Sequence, residues 1–174
     1  MAKTLIAYFS RRDENYVGIS KEVLKVGNTE TVVGKIRELI EADTFEISMK
    51  RPYFKGYEEC MRESRADLDS NARPELNSLP ETIEPYENVI LAYPNYWDTM
   101  PMAVFTFLEA FDFAGKTILP VCTNEGGDLG HSLDDIRRTC RGAKLREGLS
   151  LAGCGVASSG PFIERWLKAN GLIR

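Results

Sequence analysis

Apolar and polar positions follow two alternating rhythms along this chain. Leu5-Ile6-Ala7-Tyr8-Phe9 is an unbroken apolar run that stops at Ser10, which predicts a strand over 3–9 buried on both faces. Val32, Val33, Ile36, Leu39 and Ile40 then recur at helical spacing, with Asn28 or Thr29 as the expected cap. Phe45, Ile47 and Met49 alternate, predicting a second strand over 44–49. A thinly apolar helix is expected over 57–68, closed by Asn71 and Pro74. Pro74, Pro80 and Pro85 make 69–87 a long connection. Val89-Ile90-Leu91-Ala92-Tyr93 is another continuous run, a buried central strand.

The second half repeats the alternation. Asp98 or Thr99 is the expected cap of a helix with Pro101 in its first turn and Val104, Phe105, Leu108 and Phe111 turned inward. A fourth strand is predicted over 117–122, a helix over 130–140, a fifth strand over 146–151 and a last helix over 161–170 stopped by Gly171. Five strands alternating with helices imply an α/β domain over 1–174 with a parallel sheet covered on both faces. No internal repeat, low-complexity segment or interdomain linker is visible.

Composition narrows the function classes. With 174 residues, one substantial core is expected. The net charge of −4 argues against general nucleic-acid binding, which needs a basic footprint, but not against a phosphate ligand held by a few aimed N–H groups. Cys60, Cys122, Cys140 and Cys154 form no CxxC pair and fit no zinc spacing, so four reduced thiols in a cytoplasmic protein are expected. The N-terminal apolar run is too short to span a membrane and has no small-residue cleavage site; it is expected to be the first strand of a soluble protein.

In an open parallel sheet, ligands bind beyond the carboxyl ends of the strands, so the loops after strands one, three and four should converge. The first holds Ser10 and then Gly27-Asn28-Thr29, where hydroxyls, a glycine and the unpartnered N–H groups of a helix start suit a phosphate. Taken alone it is an ordinary capped helix. It has no Walker lysine and no GxGxxG, which counts against nucleoside triphosphates and against a tightly held nicotinamide dinucleotide. The second loop places Tyr96 and Trp97 directly after a buried strand, where they either pack on a neighbouring helix or stack on a flat heterocycle. Gly126, Gly127 and Gly130 in the third loop let backbone approach a ligand, or simply make a flexible turn. Together the three suit a flat ring with a phosphate tail.

The stretches AYFSR at 7–11, GNTE at 27–30, YPNYWDTMP at 93–101 and CTNEGGDLG at 122–130 resemble the three cofactor loops of the flavodoxin family. They are most similar to a flavodoxin-like subgroup with a tryptophan in the second loop followed by TMP. The resemblance runs over nearly the whole chain, and the joint order of the loops is more specific than any one. It implies a flavodoxin-like three-layer sandwich, a five-stranded parallel sheet in the order 2-1-3-4-5, and bound FMN. By that resemblance Ser10, Arg11, Gly27, Asn28 and Thr29 would hold the phosphate. Pro94, Asn95, Tyr96 and Trp97 would flank the isoalloxazine, with Asn95 as the residue for a left-handed or switching backbone near N5. Thr123, Asn124, Glu125, Gly126 and Gly127 would line its pyrimidine side. One departure stands out: residues 12–26 interrupt the phosphate loop, and Val26 occupies the position of a hydroxyl. Tyr16 or Ser20 could supply that hydroxyl, or the insertion could cover the cofactor or bind a partner.

The resemblance further implies an electron carrier in the cytoplasm that works with redox partner proteins: a flavoprotein reductase or ferredoxin-type donor and an acceptor of unknown identity, with no nucleic acid and no membrane. An FMN-dependent NAD(P)H:quinone-type oxidoreductase and a non-redox flavodoxin-fold binding module are the alternatives. No side chain is assigned a catalytic role. His131, the single histidine, is expected in solvent, as is Arg12. Asp13 and Glu14 superficially suggest a response-regulator receiver, but Tyr93-Pro94-Asn95 stands where that family needs an aspartate. GxSxG is absent, which counts against a hydrolase.

Overall fold

The structure, a computed structural model, describes residues 3–174; the first two residues of the predicted 1–174 domain lie outside the described residues. The chain runs β1 (Thr4–Tyr8), β2 (Asp13–Val17), β3 (Ser20–Leu24), α1 (Asn28–Leu39), β4 (Asp43–Glu46), α2 (Tyr57–Asp69), β5 (Asn88–Pro94), α3 (Met102–Glu109), β6 (Thr117–Asn124), α4 (Ser132–Thr139), β7 (Lys144–Leu145), β8 (Leu149–Ala152) and α5 (Gly160–Ala169), with a short 3-10 helix at Gly153–Ser158. The main sheet is parallel in the order β4-β1-β5-β6-β7, and β8 pairs with β6 beyond β7. β7 and β8 share one position at the edge, so the five positions follow the order 2-1-3-4-5.

Alternate residues of each central strand feed opposite layers. Leu5, Ala7, Val89, Leu91, Tyr93, Ile118 and Cys122 face a core closed by Cys60 of α2, Ala103, Val104 and Phe107 of α3, and Ile136 of α4. Ile6, Ile90, Ala92, Leu119 and Val121 face Val32, Val33 and Ile36 of α1 and Ile163, Trp166 and Leu167 of α5. This is the three-layer sandwich that two-sided burial of the continuous apolar runs demands. A fully buried aliphatic or aromatic side chain in either layer contributes about 1.5–3 kcal/mol.

Three local expectations are corrected, and the insertion takes a definite form. The second strand ends at Glu46 instead of Met49, because after Ile47 bonds to the Tyr8 carbonyl the chain leaves the sheet, and Met49 makes an isolated antiparallel bridge to Leu76. The expected fifth strand is two short pieces on either side of Arg146–Gly148. The helix after the central strand starts at Met102 with Pro101 as its N-cap, so Asp98 and Thr99 do not cap it. The insertion is an antiparallel hairpin, β2–β3, whose two-residue turn is Gly18-Ile19. Gly18 has φ +64° and Ile19 does not, the signature of a type II′ turn with glycine first.

Candidate functional site

β1, β5 and β6 lie side by side and parallel, so their carboxyl ends open at one edge, and the three predicted loops meet there. The first is re-formed across the insertion. After Ser10 and Arg11 the chain makes the hairpin and returns at Gly27, where a Cβ would stand 2.2 Å from Ser10 Oγ and 2.4 Å from the Arg11 carbonyl. Glycine is what lets the returning chain close on the strand end. Gly27 is the N-cap of α1 and offers no side chain, so the expectation of an Asn28 or Thr29 cap is corrected. The capping hydroxyl comes from the loop after β1 instead: Ser10 Oγ accepts the Glu30 N–H at 3.1 Å. The Asn28 and Thr29 N–H groups have no acceptor among the described residues. They are the free donors a helix start offers an anion.

The second loop is held from several sides. Asn95 Nδ2 donates to the carbonyls of Gly127 (3.2 Å) and Asp128 (3.0 Å), tying this loop to the third, and its Oδ1 accepts the Asp98 N–H at 3.0 Å. The left-handed residues are Trp97 (φ +56°) and Asp98 (φ +63°), not Asn95. Asn95 is spent on bonds to both loops, and the reversal falls one and two residues beyond Tyr96. The two rings part company. Tyr96 is buried against Phe9 and Tyr53, with its hydroxyl 3.8 Å from Cys60 Sγ. Trp97 stays 39% exposed; its Nε1 donates to Ser64 Oγ at 3.0 Å and the Arg65 guanidinium lies 5.4 Å from its ring. Of the two rings, only that of Trp97 keeps exposed surface.

Arg11, Asn28, Thr29, Pro94, Asn95, Tyr96, Thr123, Asn124 and Glu125 line one cavity of about 120 Å³, joined by Asn15, Tyr16, Tyr57 and Met61. Ser10 and Gly27 stand behind the end of the cavity formed by the start of α1, while Trp97, Gly126 and Gly127 belong to the second and third loops without lining it. A larger cavity, about 410 Å³, lies between α2 and the segments around Arg51 and Arg73. Its cations are spent on ion pairs, Lys50 with Glu75, Arg51 with Glu63 and Arg73 with Glu109, and no residue of the loops after β1, β5 and β6 lines it, so the smaller cavity is the candidate site.

The polar groups of this cavity have separate tasks. Thr29 Oγ1 and Thr123 Oγ1 are buried 2.8 Å apart. Two hydroxyls carry two protons and one contact uses one, so the pair keeps an O–H with no acceptor among the described residues. Arg11 spends its guanidinium on the carbonyls of Glu14, Phe54, Lys55 and Gly56, and therefore shapes the wall. Burial pushes the Glu125 carboxyl above its usual range, opposed by the Gly18 N–H that it accepts at 2.9 Å from the hairpin turn. Tyr16 packs edge-on to Tyr57 at 4.8 Å and so reaches the cavity; Ser20 stays exposed beside the hairpin turn. Asn15, Tyr57 and Met61 carry no motif, and only the docking of the hairpin on α2 brings them in. Burial raises the thiols of Cys122 and Cys140 to about 12, which keeps them protonated and inert.

Residues 3–169 match the family model described as Flavodoxin. No curated protein gives a match. Among solved structures, the chain is similar to a Bacteroides eggerthii protein assigned as a flavoprotein, at 25% identity and TM-score 0.77, over 97% of this chain and 98% of that one. It shares its fold with a Lactobacillus acidophilus flavoprotein in complex with FMN, at 14% identity and TM-score 0.65, over 95% and 99% of the two chains. It also shares its fold with a Fusobacterium nucleatum flavodoxin bound to flavin mononucleotide, at 16% identity and TM-score 0.56, over 98% of each.

Proposed function

The chain belongs to the flavodoxin family, and on that footing we propose that it binds FMN and transfers electrons between redox partner proteins. The observation that carries this reading is the pairing of two free N–H groups at the start of α1 with an uncommitted hydroxyl proton between Thr29 and Thr123, at one end of a cavity whose other wall is two strand-end loops. Such donors suit a phosphate, and the loops suit a flat ring. Bound FMN would supply one- and two-electron redox chemistry at the mouth of that cavity.

The chain's own residues bind and orient. Asn28 and Thr29 would hold the phosphate through backbone N–H groups, with Ser10 fixing the turn behind them. Asn95 locks the second loop to the third, which fixes the width of the ring slot. Trp97, partly exposed in the loop beside the cavity, would cover one face of the ring, and Tyr96, too buried to stack, forms part of the floor. Thr123 stays with Thr29 at the phosphate end, whereas Asn124 and Glu125 would line the opposite edge, where burial raises the Glu125 carboxyl. A flavoprotein reductase or ferredoxin-type protein would be the donor.

Titration with FMN followed by stepwise reduction tests the reading. The expected result is a yellow complex of one FMN per chain that takes up its two electrons at separate potentials. NADH or NADPH alone should bleach it slowly, and a flavoprotein reductase should speed reduction. Fast turnover with a nicotinamide and a quinone, with a single two-electron step, would establish an NAD(P)H:quinone-type oxidoreductase instead. A chain that refuses FMN would be a non-redox binding module.

A further inference from the structure

The turn that carries Trp97 has a backbone its sequence does not favour. Tyr96 N–H donates to the Thr99 carbonyl at 2.8 Å and Thr99 N–H returns a bond to the Tyr96 carbonyl at 3.1 Å, a two-residue hairpin turn. Its central residues are both left-handed, a geometry that Asn-Gly or Gly-Gly adopts readily and a bulky residue such as tryptophan resists. A conformation of this kind persists only where its surroundings over-determine it.

Those surroundings come largely from the start of α4. The His131 N–H donates to the Asp98 carbonyl at 2.8 Å. Gly130 lies so close that a Cβ there would stand 2.2 Å from the Asp98 carbonyl oxygen. Thr99 Oγ1 donates to Asp135 Oδ2, and both residues are buried, at 2% and 3% exposure. The other partners of Asp135 are His131 Nδ1, 2.9 Å from the same oxygen, and Arg138 on Oδ1. Both of those side chains are more than half exposed, whereas the Thr99 bond is shielded from competing water.

We propose that Asp135 is a positioning residue for Trp97: acting through the Thr99 hydroxyl, its buried carboxylate clamps the strained turn and holds the indole over the ring slot. The Ser64 bond and the Arg65 guanidinium hold the indole from the α2 side, so the turn is gripped between α2 and the start of α4. Without the clamp the turn relaxes towards negative φ and the indole leaves the rim. This inference rests on the FMN reading for its ligand, but the clamp itself is a property of the free protein.

The test places Thr99→Val, Thr99→Ser and Asp135→Asn in a Trp166→Phe background, where Trp97 is the sole tryptophan. In the free protein, Thr99→Val should shift Trp97 emission to the red and steepen its quenching by acrylamide, while Thr99→Ser, which keeps the hydroxyl, should match the parent. With ligand, Thr99→Val should lose most of the quenching of Trp97 by FMN. Its affinities for FMN and riboflavin should fall by the same factor, about fivefold for the loss of one ordinary hydrogen bond. Parent-like acrylamide quenching in Thr99→Val would overturn the proposal, as would equal changes in Thr99→Val and Thr99→Ser. Should Thr99→Val fail to fold, Asp135→Asn decides by the same emission and acrylamide readings. A parent that binds no FMN would overturn the function proposed above and leave the free-protein comparison to decide the clamp.

Discussion

A threonine hydroxyl has one proton to give, and that limit decides how Thr29 and Thr123 can serve a ligand. Because they share one contact, each hydroxyl orients the other, and removing either leaves the remaining proton without the buried partner that aims it at a ligand. Thr29→Val and Thr123→Val should therefore each weaken FMN binding while leaving riboflavin, which has no phosphate, almost unchanged. A hydrogen bond to a charged group is worth roughly 1.5–3 kcal/mol, so the loss should be on the order of tenfold to a hundredfold. Equal losses for both ligands would place these hydroxyls away from the phosphate. At Glu125 the sign of the pH effect follows from burial. Its folded carboxyl titrates above the unfolded one, so the stability it contributes is complete below the ordinary glutamate range and is lost as the pH rises through the raised value. Glu125→Gln keeps an acceptor for Gly18 and cannot ionise, so in urea denaturation it should gain on the parent from acid to neutral pH. At this scale the sequence was informative about which residues gather, since residues that follow adjacent parallel strands must meet. Their directions were hidden. Thr29 turns inward because the site is also the end of a packed sheet, and the left-handed backbone falls on Trp97 and Asp98 because Asn95 is tied to two loops.

Elements behave differently according to how much they bury. The central strands announced themselves as continuous apolar runs because burial on both faces leaves no polar position. The hairpin β2–β3 did not, because it buries little: β3 is exposed along Ser20–Val23, and alternating charged residues gave no core-facing side to recognise. It is held by point contacts. The Tyr57 N–H donates to Glu14 at 2.7 Å, supplying the cap that Gly56 lacks at the start of α2; Tyr16 meets Tyr57; Lys21 pairs with Glu58; and Gly18 bonds Glu125. Surface ion pairs of this sort contribute at most about 1 kcal/mol, and an isolated two-stranded hairpin is marginal in water. The amides of β2 and β3 should thus exchange with solvent by local opening, well ahead of those in β5, and bound FMN should slow them if the Glu125 contact closes over the ligand. Hairpin protection equal to that of β5 would show a docking stronger than these contacts supply. The divided fifth strand escaped notice for a related reason: each piece is too short to display a period.

For the whole molecule, the decisive fact is that its site belongs to no single element. On the FMN reading the phosphate end would rest on α1 and the loop after β1, and the ring slot on the loops after β5 and β6, while one wall of the cavity comes from the hairpin and α2. These parts lie far apart in the chain, so the site exists only while the sheet is assembled, and the unfolded chain offers FMN no equivalent. Linkage then requires FMN to stabilise the fold by mass action. At a free concentration one hundred times Kd the gain is about 2.7 kcal/mol. For a chain of 174 residues each kcal/mol raises Tm by about 2–4 °C, so saturating FMN should raise it by about 5–11 °C. The shift should grow with the logarithm of FMN concentration. Inorganic phosphate, which can engage only the α1 end, should give a much smaller one, and in Thr29→Val the FMN curve should move to higher concentration by the factor lost in affinity. A Tm indifferent to FMN across a range that saturates the absorbance change would mean that the flavin binds folded and unfolded chains alike, and so outside this assembled cavity.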